Sequence, residues 1–197
     1  MNFNTVISID IGKSGGISTF IKKEDKYILS DCIRTPIYKI ETKPAKFKLK
    51  LDEKGKKQFY KTGSKKGEPI MVQTAPAKYM TELDVSKIFL LLSSFENAVI
   101  VFEEPGSSVG NSAQVTATTH RNYGKMLALA ELSQNTIVTV PANKWKKDLS
   151  LTKDKLECVN YAENLFGLSF KTNNNALLDG QAESALVGHW YIKTMNK

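Results

Sequence analysis

Cysteine and histidine are scarce in this chain of 197 residues, with two of each. Cys32 and Cys158 belong to no CxxC or Cys/His ligand spacing, which excludes a disulfide framework and a zinc site built on these side chains. Both are read as reduced core thiols, with a single disulfide or a catalytic thiol as the alternatives. Long apolar runs are absent as well. The longest, IFLLL at residues 88–92, is about a quarter of the ~20 residues that span a bilayer, so no membrane partner is expected. Six Pro, 12 Gly and a 9% aromatic share do not describe a disordered or collagen-like chain. The first residues carry neither a basic n-region nor a small-residue cleavage site, and an intracellular protein is expected. The length suits one domain with a full core and an insertion.

Positive charge is in excess, with 28 Lys+Arg against 20 Asp+Glu, a formal charge of +8 and a pI near 9.3. That balance suits a polyanionic partner. Residues 39–66 hold 11 Lys against three acids (Glu41, Asp52, Glu53), while the rest of the chain holds 17 basic and 17 acidic residues. Within that stretch KFKLKL at 46–51 alternates lysine with apolar residues, and QFYKTG follows a turn at Gly55. The pattern predicts either a solvated lysine-rich loop or an exposed two-stranded hairpin that contacts nucleic acid.

Around this segment the pattern is that of an α/β domain. Residues 5–11 (TVISIDI) read as a buried strand, followed by a Gly-rich turn and strands at 17–21 and 27–34, an antiparallel meander. Asp84 caps a helix through residue 96, with Val85, Ile88, Phe89, Leu92 and Phe95 on one stripe. A buried strand at 98–102, a polar loop SSVGNSAQ, a helix at 115–133, a strand at 137–140, a loop with a short turn around PANKWKK, and helices at 152–166 and 178–193 complete the order.

Four acids sit where acids are costly. Asp10 lies between Ile9 and Ile11, and Glu103 directly follows VIVF. Asp179 and Glu183 are four apart on the last helix, in otherwise small and apolar surroundings, so both project from one face. Four carboxylates on buried elements repel one another unless a cation compensates them. Mg²⁺ takes oxygen ligands and bridges to substrate phosphates, which points to a shared metal site on Asp10, Glu103, Asp179 and Glu183. Glu104 is an alternative to Glu103.

SIDIGKSGGI around Asp10, VIVFEEP around Glu103 and the closing DGQAESAL resemble the RuvC-type Holliday-junction resolvases, in particular their phage-type branch. THRNYGKMLALAE resembles that family's Gly-containing helix after the second acid. VTVPANKWKKDL and TKDKLECVNYAENLF resemble its V-x-P-x-x-W-K-K stretch and Lys-bearing helix. The similarity covers residues 3–33 and 82–193, in order. In bacterial RuvC the last-helix acids are spaced i, i+3, whereas Ala182 holds that position here and Glu183 is i+4.

The resemblance implies an RNase H-like α/β fold over residues 1–197: a five-stranded mixed sheet flanked by helices, with 39–66 as a basic insertion. It implies a crossover junction endodeoxyribonuclease acting on branched DNA as a homodimer, in the cytoplasm of a bacterium or phage-infected host. Carried over residue by residue, Asp10, Glu103, Asp179 and Glu183 hold two Mg²⁺ ions (Mn²⁺ substituting) about 3.5–4 Å apart. Lys155 or Lys153 neutralises developing charge or holds a neighbouring phosphate, or simply contacts backbone and solvent. Ser14, Gly15 and Gly16 let the turn approach the DNA backbone. His189, Trp145, Phe166, Trp190 and Tyr191 read as core residues, while His120, Arg121 and Tyr123 face DNA or the dimer partner. The alternatives are an RNase H-like nuclease for flaps, forks or RNA–DNA hybrids, and a non-catalytic DNA-binding module. An actin-like nucleotide-binding protein needs a duplicated domain, for which the length leaves no room.

Overall fold

The run TVISID forms β1 (Thr5–Asp10) in the computed structural model, which describes residues 3–12, 14–106 and 112–195. Lys13 and residues 107–111 of the expected polar loop lie outside the described residues. Both faces of β1 are buried, and such a strand belongs in the middle of a sheet covered on both sides. β1 pairs antiparallel with β2 (Gly16–Lys23), which pairs antiparallel with β3 (Lys26–Arg34). On its other edge β1 runs parallel to β8 (Ala98–Glu104), and β8 runs parallel to β9 (Thr136–Pro141). The order β3-β2-β1-β8-β9 is the mixed five-stranded sheet of the RNase H-like fold, antiparallel meander first.

Alternation along the central strands sorts the core into two layers. Ile100 and Phe102 join a cluster with Ile88 and Leu92 of α1 (Val85–Ser93) and Met126 and Ala130 of α2 (Ala113–Leu132). Val99 and Val101 join the opposite cluster with Val159 and Ala162 of α4 (Lys155–Phe166) and Ala182, Ala185, Leu186 and Val187 of α5 (Asp179–Met195). The helices begin where their caps lie. The Asp84 side chain accepts from the Lys87 N–H, and Asp154 accepts from the N–H groups of Leu156 and Glu157. The expected start of α4 at 152 therefore moves inward, because Asp154 takes the cap. The PANKWKK segment is a true helix, α3 (Ala142–Asp148), pinned by the fully buried Trp145, rather than a loop with a short turn.

α5 sits unusually close to the sheet because its contact stripe is made of small residues. A Cβ on Gly188 would collide with the Ser8 Oγ and the Phe20 ring, and one on Gly16 would lie 2.5 Å from the Cα of Gln181. Hydrogen bonds fix the register. Ser8 Oγ donates to Ser184 O at 2.7 Å, Ser18 and Ser184 hydroxyls pair at 2.7 Å, and Gln181 Nε2 donates to Cys32 O at 2.9 Å. Both cysteines are unpaired thiols, Cys158 buried and Cys32 half-buried.

Tyr38–Glu82 forms a second compact unit, wider than the lysine-rich stretch at 39–66. β4 (Ile37–Lys43) pairs with β7 (Lys78–Leu83), and β5 (Lys46–Leu49) pairs antiparallel with β6 (Met71–Ala75). The expected pairing of KFKLKL with QFYKTG is reduced to a tip. The Asp52 carboxylate accepts from the N–H groups of Lys54 and Lys56 and turns the chain back through Gly55, at φ 74°. Gln58 N–H then donates to Lys50 O at 2.9 Å, and Ile70 N–H to Gln58 O at 2.8 Å. The regular ladder of β5 goes to the more distant β6.

The glycine seam makes a signed prediction. Gly188→Ala overpacks the α5–sheet contact and costs about 1–3 kcal/mol. Gly124→Ala, where an added Cβ meets none of the described atoms within 4 Å, gains about 0.5–1 kcal/mol from helix propensity. Thermal unfolding of the two variants should shift in opposite directions.

Candidate active site

Strand register brings the first two acids together. Ile9 pairs with Phe102 across the parallel β1–β8 ladder, so the next residues, Asp10 and Glu103, emerge side by side at the C-terminal ends of both strands. Both point to the face that α5 covers, as Ser8 two residues earlier shows by its bond to Ser184. α5 supplies the third acid, Glu183. Carboxylate oxygens of Asp10, Glu103 and Glu183 all lie within 4.8 Å of one another. Asp179, one turn earlier on α5, is outside this trio, but its charge still reaches Asp10.

Each acid has a distinct environment. Burial, then the charges of Glu103, Glu183 and Asp179, hold the Asp10 carboxyl well above the usual carboxylate range, with Lys146 opposing. Burial and the Glu183 charge push Glu103 up to about 7, against the hydrogen bond from Trp145 and the charge of Lys146. Trp145 Nε1 donates to Glu103 Oε2 at 2.8 Å, which fixes one carboxylate oxygen. Lys146 Nζ lies 2.6 Å from Glu183 Oε1 in a largely buried ion pair. Burial lowers the Lys146 pKa, but its hydrogen bond to Glu183 and that residue's charge raise it further. Lys155 pairs with Asp179, whose hydrogen bond raises the ammonium pKa.

This donor set fits a hard divalent cation. It consists of carboxylate oxygens only, close enough to share an ion, and burial with mutual repulsion makes Asp10 and Glu103 costly to ionise without a compensating positive charge. Asp10, Glu103 and Glu183 are the residues that could hold it directly, with Asp179 adjacent.

The other candidates fall into place around the cluster. Glu104 emerges on the opposite face, where its charge adds to burial in raising the Tyr123 pKa. Tyr123 itself packs edge-on against Phe102 at 6.3 Å, so it is part of the α2 layer rather than an open platform. His120 and Arg121 are exposed on α2, and a His120 ring nitrogen bonds Thr116 O at 2.9 Å. His189 stacks edge-on against Phe166 at 6.1 Å, away from the acids. Trp190 Nε1 donates to Asp148 at 2.8 Å. The turn at Gly12–Gly16 is closed by the Gly15 N–H to Gly12 O bond at 3.1 Å. Lys153 lines a cleft of about 940 Å³ with Lys146, Lys147, Glu104 and Asn143.

Two residues in contact with the cluster escaped the sequence reading, Lys146 and Trp145. The signal was present: a Trp-Lys-Lys run next to a buried strand places an indole donor and a cation within one short helix. Reading Trp145 only as a core anchor overlooked its N–H, which a buried indole must satisfy.

No protein-family model matches the chain, and no curated protein matches it. Among solved structures, the chain is similar to Thermus thermophilus RuvC in complex with a Holliday junction substrate, at 9% identity and a TM-score of 0.49, covering 96% of each chain. A second Thermus thermophilus RuvC structure is similar at 12% identity and a TM-score of 0.47, covering 97% of this chain and 96% of that one.

The raised acids make metal-free stability fall as pH rises. Asp10 and Glu103 bind protons more tightly folded than unfolded, so their contribution is complete below about pH 4 and is lost through about 7 for Glu103. Glu103 alone accounts for roughly 3 kcal/mol of this. His189, whose burial lowers its pKa, opposes with a single group. In EDTA the melting temperature should drop from pH 5.5 to 8.5. Saturating Mg²⁺ should raise it more at pH 8.5 than at 5.5, because the ion takes ionised carboxylates. Equal metal shifts at both pH values would exclude these acids as ligands.

Proposed function

We propose that this chain is a divalent-metal-dependent endonuclease that hydrolyses phosphodiesters in branched DNA, with the four-way junction as its preferred substrate. The convergence of Asp10, Glu103 and Glu183 within 4.8 Å at one end of the sheet carries this reading. Its support from sequence is the ordered set of resolvase-like motifs around the same residues.

Asp10 occupies the central position, since it feels the charges of Glu103, Glu183 and Asp179 together. Glu103 is oriented through Trp145, which donates to one of its carboxylate oxygens. Asp179 and Glu183 line the site from α5, which the glycine seam keeps from drifting. When bound, Mg²⁺ or Mn²⁺ supplies activation of the attacking water and neutralisation of phosphate charge. Lys146 and Lys155 compensate Glu183 and Asp179, and their ammonium groups would be released to neighbouring phosphates when those carboxylates take a metal. Symmetric incision of a junction needs two sites related by a twofold axis, which makes a homodimer the working form.

Labelled four-way junction, fork, flap, duplex and RNA–DNA hybrid substrates with Mg²⁺ or Mn²⁺ test the proposal. The junction should be cut by paired nicks, and Asp10→Asn should lose at least about 1,000-fold in rate while still binding DNA. Preferential cutting of another substrate would keep the nuclease and reassign its target. Intact products throughout, with wild type and Asp10→Asn alike, would overturn the nuclease reading.

A further inference from the structure

The unit Tyr38–Glu82 contains 12 Lys and five acids, so it carries a formal charge of +7. It buries almost none of its apolar side chains. Every residue of β4 and β5 is exposed, and large apolar groups stand open to solvent, Phe47 at 54% and Tyr79 at 58%. Leu49, Leu51, Phe59, Tyr60 and Met71 are exposed as well. A ribbon of two strands is marginal by itself, and clustered exposed apolar surface of this kind marks a binding face.

The β5–β6 register sorts the two chemistries. Leu49 lies opposite Met71 and Phe47 opposite Gln73, while Lys48 lies opposite Val72. Opposed residues share a face and neighbours alternate, so Phe47, Leu49 and Met71 line one side and Lys48 the other. Among the described residues, Lys46, Lys48 and Lys50 have no acidic partner within 4.0 Å, which leaves their charge for an outside anion.

The charge selects a polyanion over a second copy of the same basic unit. The apolar side narrows it further. A fully paired duplex presents phosphates and groove edges outward, whereas unpaired nucleotides present base faces that can cover Phe47 and Phe59. We propose that Tyr38–Glu82 is an arm that holds unpaired nucleotides at a DNA branch, with Lys46, Lys48 and Lys50 on phosphates and Phe47 and Phe59 on base faces. The inference rests on the branched-DNA reading for its choice of nucleic acid. It adds a binding element separate from the carboxylates.

Anisotropy titrations in EDTA test it without cleavage, using a labelled single strand and the matching duplex across a range of salt. The triple variant K46Q/K48Q/K50Q should weaken binding of both probes and flatten the single-strand slope of log K against log salt by about 2, at about 0.7 per lost phosphate contact. The double variant F47S/F59S should weaken the single strand about tenfold or more, leave the duplex within about twofold and keep the salt slope. All five positions are exposed, and unchanged circular dichroism spectra would show that both variants fold.

If F47S/F59S binds both probes as wild type does, the proposal is overturned. It is equally overturned if that variant loses self-association by light scattering with DNA affinity unchanged, because the face would then join two copies. Wild-type junction cleavage with unaltered F47S/F59S binding removes the arm and leaves the nuclease. Arm-dependent binding without any metal-dependent cleavage does the reverse.

Discussion

Asp10, Glu103 and Glu183 repel one another, yet each comes from an element that cannot move away. Asp10 and Glu103 end adjacent parallel strands in the centre of the sheet, where any withdrawal would break ladder hydrogen bonds and expose Ile9 or Phe102. Glu183 belongs to a helix whose Gly and Ser residues lie against β1 and β2 too closely to slide. The stability of both core layers is therefore what holds like charges together. Burial raises the cost of charging them and so raises their proton affinity. A site of this kind is poor at being ionised alone and well suited to receiving a cation.

The neighbouring cations divide that strain. Lys146 is largely buried, and its pair with Glu183 replaces hydration that neither group has. Lys155 is mostly exposed, and its pair with Asp179 lies where water screens it. The two acids of α5 thus differ in how strongly the protein itself compensates them. That difference agrees with the placement of Glu183 inside the carboxylate trio and Asp179 beside it. Trp145 acts without charge: its indole body fills the core while its N–H pins Glu103, so one side chain couples packing to the orientation of a clustered carboxylate.

The parts legible in the sequence were those with a local signature. An acid between isoleucines, an acid after VIVF and two acids four apart among small residues announce themselves by being out of place; strand pattern and short turns marked the meander, while the mixed order of the sheet came from the family resemblance. The acids' common destination followed once the strand order was right. What stayed hidden depended on long-range geometry. Lys146 is one of two adjacent lysines, and only the path of α3 decides that its ammonium meets Glu183 rather than water. The i, i+4 spacing placed Asp179 and Glu183 on one face, but it could not say which would enter the trio. The β5–β6 pairing joins residues separated by a tip that has its own turns, and alternation alone cannot choose between two partners of similar β-propensity.

Charge divides along the same line as structure. The unit holding the carboxylates carries 16 basic and 15 acidic residues, so it is nearly neutral, while Tyr38–Glu82 carries the remaining +7. Long-range attraction of a polyanion therefore originates mainly in a segment that contains none of the clustered acids. The carboxylate site itself repels phosphate until a cation is bound, and Lys146 and Lys155 are already engaged with Glu183 and Asp179. On the proposed reading, capture and chemistry respond to different variables: the first to ionic strength, through screening of surface lysines, and the second to pH and divalent cation, through the buried acids. On that same reading, separating them lets a nucleic acid be held before the carboxylate site is charged, which a single basic site could not do.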